Sequence, residues 1–553
     1  MDQKTTDGAG VIGVLGAGTM GSGIAQLAAR SGARTLLHDP APDALERGLE
    51  RARDGLAKEA AKGRLTERQA SDAAASLEAV AELDALAPCE LVIEAAPERL
   101  ELKHELYRRL SEIVSEQCVL ASNTSSLLVT AIAPAASHPE RVVGMHFFNP
   151  APLMALLEVV AGARSSARAL ALADATGVAM GKRVIHASDG PGFLVNRCNR
   201  PFGLEALRLL QERIADVQTI DRICRVQGGF RMGPFELMDL VGVDVGFEIS
   251  KSFFEQSFGE PRWRPSPIAA RYVAAGLHGR KTGRGYYVYT GDGASHREQD
   301  APAPERSTPG GGEGVVVIDG SGVLAEELRH EASQAGYEVR SPHDPTGGVL
   351  PALIVECDRT PATADAVGER ARVGRGEPLV HGGAHVVLCC TGSLGALDPA
   401  GSAVGFHVLA PFADARLVEL TRNEGSSPLA AARAERFFGA LGKHVAWVGD
   451  APGLVLGRIV CQVINECAFA LGEGVGGAHD IDKGMTLGLS YPRGPLAWAD
   501  TIGLDHVLDV LQALCGEYRE ERYRPAPALR RLVQAGRLGR ASGAGFFDYD
   551  VET

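Results

Sequence analysis

Several things are missing from this sequence. It has no run of about 18 apolar residues, so no membrane-spanning helix is expected. It has no surplus of positive charge: 56 Lys and Arg stand against 69 Asp and Glu, a formal net charge of −13. A chain of that sign does not draw in phosphate backbones, and no nucleic-acid partner is expected. The ten cysteines form no CxxC pair, and Cys389 and Cys390 are adjacent. They read as the reduced thiols of a cytoplasmic protein, with no metal site. The opening MDQKTTDGAG lacks the apolar segment of a secretory signal. What is present is 553 residues, 45% hydrophobic and 23% charged, an ordinary globular composition too long for one core.

Two stretches organise the rest. Gly144 to Val160, GMHFFNPAPLMALLEVV, ends one apolar run at His146 and sets Glu158 inside the next, twelve residues on. A charge flanked by two aliphatics on each side is rarely buried without a partner, and His146 is the natural one. Gly405 to Thr421, GFHVLAPFADARLVELT, sets His407 and Glu419 at the same spacing.

Taken in order, the chain begins with an apolar strand, Val11 to Leu15, then a glycine turn, Gly16-Ala-Gly18-Thr-Met-Gly21, and a helix-forming run. The first glycine allows a tight turn, the second lets a pyrophosphate approach the backbone, and the third lets helix and strand pack closely. A second strand, Arg34 to His38, ends at Asp39, placed to bond the ribose hydroxyls of NAD and to repel the extra phosphate of NADP. Residues 43 to 82 read as a pair of amphipathic helices broken near Gly63, with Lys58, Lys62 and Arg64 at the break. Strand Leu91 to Glu94, a helix from about Leu100 to Val114 and strand Cys118 to Ala121 continue a doubly wound parallel pattern. Ser122-Asn123-Thr124-Ser125-Ser126 and then HFFNP follow at strand ends, where a ligand crevice forms. From Asp189-Gly-Pro-Gly-Phe to about Ala275 the pattern turns helical, and GRKTGRGYYVY closes it.

The chain then repeats itself in reduced form. Gly320-Ser-Gly322-Val-Leu-Ala325 answers the first glycine turn, His343-Asp344-Pro345 answers His38-Asp39-Pro40, and Leu353 to Glu356 answers Leu91 to Glu94. GPLAWADTIGLD answers GPFELMDLVGVD, and GRASGAGFFDY answers GRKTGRGYYVY. Asp39 and Glu94 are 55 residues apart but Asp344 and Glu356 only 12, so the second copy lacks about 43 residues, the stretch holding the helix pair. Asn196 is answered by Gly457, Lys281 by Ala541, and SNTSS by roughly CCTGS.

The glycine turn, SNTSS, HFFNP, DGPGF with VN, and GRKTG together resemble the L-3-hydroxyacyl-CoA dehydrogenase family, over nearly all of residues 10 to 290. The duplicated tail resembles the long bacterial forms, which act on 3-hydroxybutyryl-CoA and 3-hydroxyadipyl-CoA. The resemblance implies an α/β Rossmann-like doubly wound parallel sheet followed by an all-α helical domain, the pair repeated in a truncated, degenerate copy. It implies NAD-dependent oxidation of a (S)-3-hydroxyacyl-CoA, with His146 as general base, Glu158 as its partner, and Ser125 and Asn196 on the substrate oxygen. Cofactor contacts are implied at Gly16, Gly18, Thr19, Met20, Gly21, Asp39, Glu98, Lys103, Asn123, Ser125, Asn149 and Lys281. Coenzyme A contacts fall on the helix pair. Family positions there map to Ala52 or Glu59, and Lys58 or Lys62 are expected to stand in.

The expected domains are 8–187 (NAD-binding), 188–290 (helical), a linker at 291–313, 314–447 (truncated Rossmann-like) and 448–553 (second helical). The two helical domains are expected to pack as an internal pseudo-dimer, with room for a further homo-oligomer. Catalysis is expected only in the first copy, with His407 and Glu419 as a structural pair. Two other readings stand beside this one: an L-gulonate 3-dehydrogenase-like enzyme, and a non-catalytic scaffold.

Overall fold

The computed structural model describes residues 8–290, 300, 302, 305, 312–344, 349–361, 384–399 and 401–550. The expected linker falls largely outside the described residues. The chain forms two compact units: Met1–Arg197 with Glu473–Ser490, and Cys198–Gly472 with Tyr491–Thr553.

The first unit is built on eight strands: β1 (Val11–Leu15), β2 (Arg34–His38), β3 (Leu77–Val80), β4 (Leu91–Glu94), β5 (Val119–Ser122), β6 (Val142–Phe147), β7 (Leu156–Ala161) and β8 (Arg183–Ser188). Their order is β3-β2-β1-β4-β5-β6-β7-β8. Central strands such as LVIE and VLAS are buried at every position, as a sheet covered on both faces requires. Ile12, Val14, Ile24, Leu37, Ile93 and Val143 lie in the core that joins sheet to helices.

Two expectations change here. The sheet is not wholly parallel: β6 and β7 pair antiparallel. Only residues 148–155 connect them, and a parallel return needs a crossover of a dozen or more residues. The stretch 43–82 is not helical throughout. Helices Pro42–Ala61 and Glu67–Ala75 are followed by β3, which pairs with β2 at the sheet edge. A capping box at Thr66 and Gln69 starts the second helix, and Ser76 ends it just before the strand.

The helix Ala478–Leu489 belongs to this unit and packs against β7 and β8. Its approach is close. A Cβ on Gly488 would lie 2.8 Å from Leu156 and 3.3 Å from Phe148. The segment before it is tied on by Ser188 N–H donating to Val475 O (2.8 Å) and by an ion pair of Arg197 with Glu473 (2.7 Å).

The second unit holds seven strands: β9 (Val315–Asp319), β10 (Glu338–Arg340), β11 (Leu353–Glu356), β12 (His385–Leu388), β13 (Val404–His407), β14 (Leu417–Thr421) and β15 (His444–Trp447). Their order, β10-β9-β11-β12-β13-β14-β15, follows that of the first sheet without its outermost strand. Here too one pair, β13 with β14, is antiparallel. The helix Val217–Val226 packs against β14. Arg458, fully buried, ties the helices together. Its guanidinium reaches Glu205 (3.2 Å), Glu212 (2.6 Å) and the hydroxyls of Tyr518 and Tyr523. A buried cation is tolerable only with such partners.

Candidate active site

The site begins at the carboxyl ends of β1 and β2. Gly16 turns with φ of +92° and donates its N–H to His38 O at 2.8 Å. A Cβ on Gly21 would stand 1.7 Å from Gly16 O, so the turn closes onto the helix Thr19–Arg30 only because glycine is there. Gly18 meets nothing within 4 Å of its Cβ position, which leaves open ground before the helix N-terminus. Thr19 is exposed and Met20 half-buried beside it. The Asp39 carboxylate accepts from Ala17 N–H (2.8 Å) and Ala41 N–H (3.0 Å), which fixes it at the mouth of the turn.

A network of carboxylates shapes the next strand ends. Glu94, fully buried, accepts from Lys103 Nζ (2.7 and 2.8 Å) and Ser122 Oγ (2.7 Å). Lys103 is 1% exposed and also lies 3.4 Å from Glu98. Lys103, an expected cofactor contact, thus has its ammonium held beneath the loop by two carboxylates. Glu98 gathers the SNTSS loop, accepting from Thr124 Oγ1 (2.6 Å), Ser125 N–H (3.0 Å), Ser126 N–H (3.0 Å) and Ser126 Oγ (2.9 Å). Burial opposes its ionisation, but the Thr124 hydroxyl, the Lys103 charge and these amides outweigh it and hold its pKa below the ordinary value. Ser125 is left exposed at the loop tip. Asn123 Oδ1 accepts from Phe147 N–H at 2.9 Å, which links this loop to the end of β6.

His146 and Glu158 are direct cross-strand partners in the antiparallel pair. His146 Nδ1 lies 2.6 Å from Glu158 Oε2, with the histidine 6% exposed and the glutamate not at all. The other oxygen, Oε1, accepts from Leu194 N–H (3.2 Å) and Val195 N–H (3.0 Å) at the start of the helix Val195–Gln211. An ionised carboxylate only accepts, so Nδ1 carries the proton and Nε2 the lone pair. Phe148 and Phe193 wall the ring, with centroids at 4.7 and 5.8 Å.

The second copy of the motif is wired differently. His407 and Glu419 are again cross-strand partners, and Glu419 accepts from Val455 N–H (2.7 Å) and Leu456 N–H (3.1 Å). The histidine turns away. Its Nε2 lies 3.3 Å from His506 Nε2, and its Nδ1 has no hydrogen-bond partner among the described residues. The expected structural pair of His407 and Glu419 is thus corrected to a histidine pair. Burial raises Glu419 to about 8, while burial and His506 depress His407, so proton transfer between acid and ring is unsupported. A Cβ on Gly457 would fall 2.2 Å from the His407 ring, so no asparagine fits there. At the second glycine turn, Ser321 donates both N–H (2.9 Å) and Oγ (3.1 Å) to the carboxylate of Asp358. Its aligned position in the first copy is Ala96. An acid there repels a pyrophosphate.

The family model for the 3-hydroxyacyl-CoA dehydrogenase NAD binding domain matches residues 11–190, and that for the 3-hydroxyacyl-CoA dehydrogenase C-terminal domain matches 192–289 and again 453–549. The chain belongs to the 3-hydroxyacyl-CoA dehydrogenase family. It is 35% identical over 528 residues to the 3-hydroxyadipyl-CoA dehydrogenase of Escherichia coli K12, covering 95% of this chain and 98% of that protein. It is 39% identical over 277 residues to a probable 3-hydroxybutyryl-CoA dehydrogenase of Deinococcus radiodurans, covering 50% of this chain and 99% of that one. A crystal structure of 3-hydroxybutyryl-CoA dehydrogenase from Escherichia coli K12 superposes with a TM-score of 0.76 at 32% identity, covering 96% of this chain and 99% of that one.

The dehydrogenase is an NAD-dependent oxidoreductase with a Rossmann-like sheet and a helical C-terminal domain. Its residues fit NAD: open ground at Gly18, free approach to a helix N-terminus, and the Asp39 carboxylate. No helix among the described residues is long and apolar enough to cross a membrane. The remaining expected residues are scattered. Asn149 is exposed after β6, and Asn196 is half-buried in the first turn of its helix. Lys58 and Lys62 are exposed, while Ala52 (1%) and Glu59 (7%) face inward, and Glu59 is taken by Gln26 and Arg30. Lys281, in the second unit, pairs with Asp244 at 2.6 Å. The sequence reading missed Glu94, Phe193 and the amides of Leu194 and Val195. Only the DGPGF turn, which aims those amides, carried any signal for them.

Proposed function

We propose that the chain oxidises the 3-hydroxyl of a short or dicarboxylic (S)-3-hydroxyacyl-CoA, such as 3-hydroxybutyryl-CoA or 3-hydroxyadipyl-CoA. The observation that carries this is the Glu158 carboxylate, which holds His146 Nδ1 with one oxygen and two backbone amides with the other. Nε2 is thereby left with its lone pair and takes the hydroxyl proton. Glu158 stabilises the imidazolium that forms, without itself changing protonation. The Ser125 hydroxyl and the Asn196 amide donate to the oxygen as it becomes a carbonyl. NAD, when bound, supplies the hydride acceptor. The presence of this set in a chain that resembles the 3-hydroxyadipyl-CoA and 3-hydroxybutyryl-CoA enzymes end to end supports the reading over a scaffold.

The second half is inferred to be a degenerate copy that completes the first. The same contacts recur with the copies exchanged. Arg197 meets Glu473 as Arg458 meets Glu212, and the helix Ala478–Leu489 covers β7 and β8 as the helix Val217–Val226 covers β14. Matching contacts of this kind support the reading of the second half as a copy of the first.

The direct test is NADH oxidation with acetoacetyl-CoA. Turnover by wild type, and a loss of about 10²- to 10⁴-fold in kcat for His146→Ala, is the expected result. No absorbance change with wild type, or wild-type turnover in the variant, overturns the assignment.

A further inference from the structure

Within the first unit, the helices Thr19–Arg30 and Pro42–Ala61 lie side by side and rise together from the glycine turn. Where the second helix crosses Ala17, a Cβ on Gly48 would lie 2.6 Å from Ala17 Cβ. Further along, a Cβ on Gly55 would lie 2.1 Å from Gln26 Oε1, and Glu59 meets Gln26 (2.7 Å) and Arg30 (3.1 Å). These contacts fix the register of the pair. They set residue 51 just beyond the crossing at Ala17, at the end of the pair nearest the glycine turn. Residue 51 is an arginine.

Arg51 is exposed, yet it is anchored. Its Nη1 donates to Ser22 Oγ at 3.1 Å, and Ser22, buried, gives its own proton to Gly18 O at 2.8 Å. The hydroxyl oxygen therefore accepts from the arginine, and the guanidinium stands two hydrogen bonds away from Gly18. No carboxylate pairs with Arg51 among the described residues, and the first turn of the helix Thr19–Arg30 carries no acid. The planar fork of a guanidinium suits phosphate oxygens, and of its donors only Nη1 is given to Ser22. Gly18 is the open ground where a pyrophosphate approaches the backbone.

We propose that Arg51 is a phosphate ligand of the glycine turn, pairing with the diphosphate of the bound nucleotide. A helix N-terminus offers only about half a positive charge, and a guanidinium beside it supplies a whole one. NAD and coenzyme A both carry a diphosphate. The glycine turn is the NAD site, which makes NAD the expected source. The inference rests on that site and not on the acyl substrate proposed above.

The second copy has lost the arrangement. Counting from Gly320 as from Gly16, the helix Val323–Gln334 has Glu326 where the first has Ser22. The stretch that would answer Arg51 lies within the roughly 43 residues missing there. A carboxylate in place of a hydroxyl that anchors a cation reverses the local charge.

The test is binding, read without turnover. Fluorescence titration gives the Kd of NADH for wild type, Arg51→Met and Arg51→Lys. Displacement of NADH by ADP-ribose, which keeps the diphosphate, and by adenosine, which lacks it, separates a phosphate contact from a general disturbance of the site. Calorimetry gives the Kd of coenzyme A. Arg51→Met is expected to weaken NADH and ADP-ribose by about 5- to 20-fold, the weight of one charge-assisted contact at a solvated site, and to leave adenosine unchanged. Arg51→Lys is expected to keep part of the affinity, as a point charge without the fork. A loss confined to coenzyme A keeps Arg51 as a phosphate ligand and assigns it to the substrate's diphosphate. Equal losses for ADP-ribose and adenosine, or no loss for any of these ligands, overturn the proposal. Arg51 is exposed, so neither variant removes a core contact. A wild type that binds no NADH removes the site and the proposal together.

Discussion

At the scale of single residues, the site depends on one carboxylate with two duties. Glu158 Oε1 receives two backbone donors and Oε2 a third from His146, so every direction it presents is an acceptor. Glu158→Gln puts an NH2 group against a donor on one side or the other. Either the imidazole takes the wrong tautomer or an amide is stranded. The expected result is a fall in kcat of about 10²- to 10⁴-fold with KM little changed, measured by steady-state kinetics. Retention of wild-type kcat would remove Glu158 from the mechanism. The twelve-residue spacing made the His146–Glu158 pair legible in the sequence, because a short connection between two apolar runs brings them opposite one another. The amides of Leu194 and Val195 were not legible, since backbone donors leave no mark in side-chain identity. The surroundings of Lys103 were not legible either. The resemblance offered Lys103 as a cofactor contact, and only the fold shows its ion pair with Glu94.

At the scale of elements, the decisive contact is the helix Ala478–Leu489 against β7 and β8. Gly488 has no room for a side chain beside Leu156 and Phe148, and Phe148 is one wall of the His146 pocket. Gly488→Val is expected to cost about 1 to 3 kcal/mol of stability, the usual price of overpacking, and to lower kcat by displacing Phe148. Thermal unfolding and kinetics on the same preparation test this, and an unchanged Tm would argue against the close contact. The parallel core of the first sheet was readable from alternating apolar strands and helices. The edge strand β3 was not, because LEAV sits among good helix formers and only its pairing with β2 decides its state. The antiparallel pairing of β6 and β7 is not marked by periodicity, which identifies a strand but not its direction; only the shortness of the 148–155 connection carries it.

At the scale of the molecule, the two glycine turns differ in what surrounds them. A carboxylate from Asp358 already occupies the amide of the second glycine turn, so isothermal titration is expected to give one NAD per chain. Two equivalents would reopen the second site. Residues 1–290 expressed alone lack the helix that covers β7 and β8, and are expected to be aggregated or markedly less stable. A soluble, stable, fully active fragment would refute the dependence. The histidine pair gives a pH signature. Burial lowers His506 from 6.5 to about 4, and burial with His506 lowers His407, so both rings stay neutral in the folded chain while those of the unfolded chain take up protons. Stability is therefore lost as pH falls from 6.5 towards 4. Glu419, raised from 4.5 to about 8, works in the other direction, and stability from it is lost as pH rises across that range. Comparing His506→Leu with wild type cancels the glutamate. The variant's advantage in unfolding free energy is expected to grow by about 1 kcal/mol per pH unit below 6.5, and a constant difference would show that the rings are not buried neutral.

The covering helix has a consequence for behaviour on dilution. When two separate subunits must meet to shield a sheet, activity fades as the protein is diluted below the dissociation constant of the pair. Here the helix and the strands it shields are joined by one backbone, and the local concentration of one at the other is set by the tether, not by the solution. Specific activity is expected to stay constant into the nanomolar range in a stopped-assay dilution series, and a decline would show that a further copy of the chain is required.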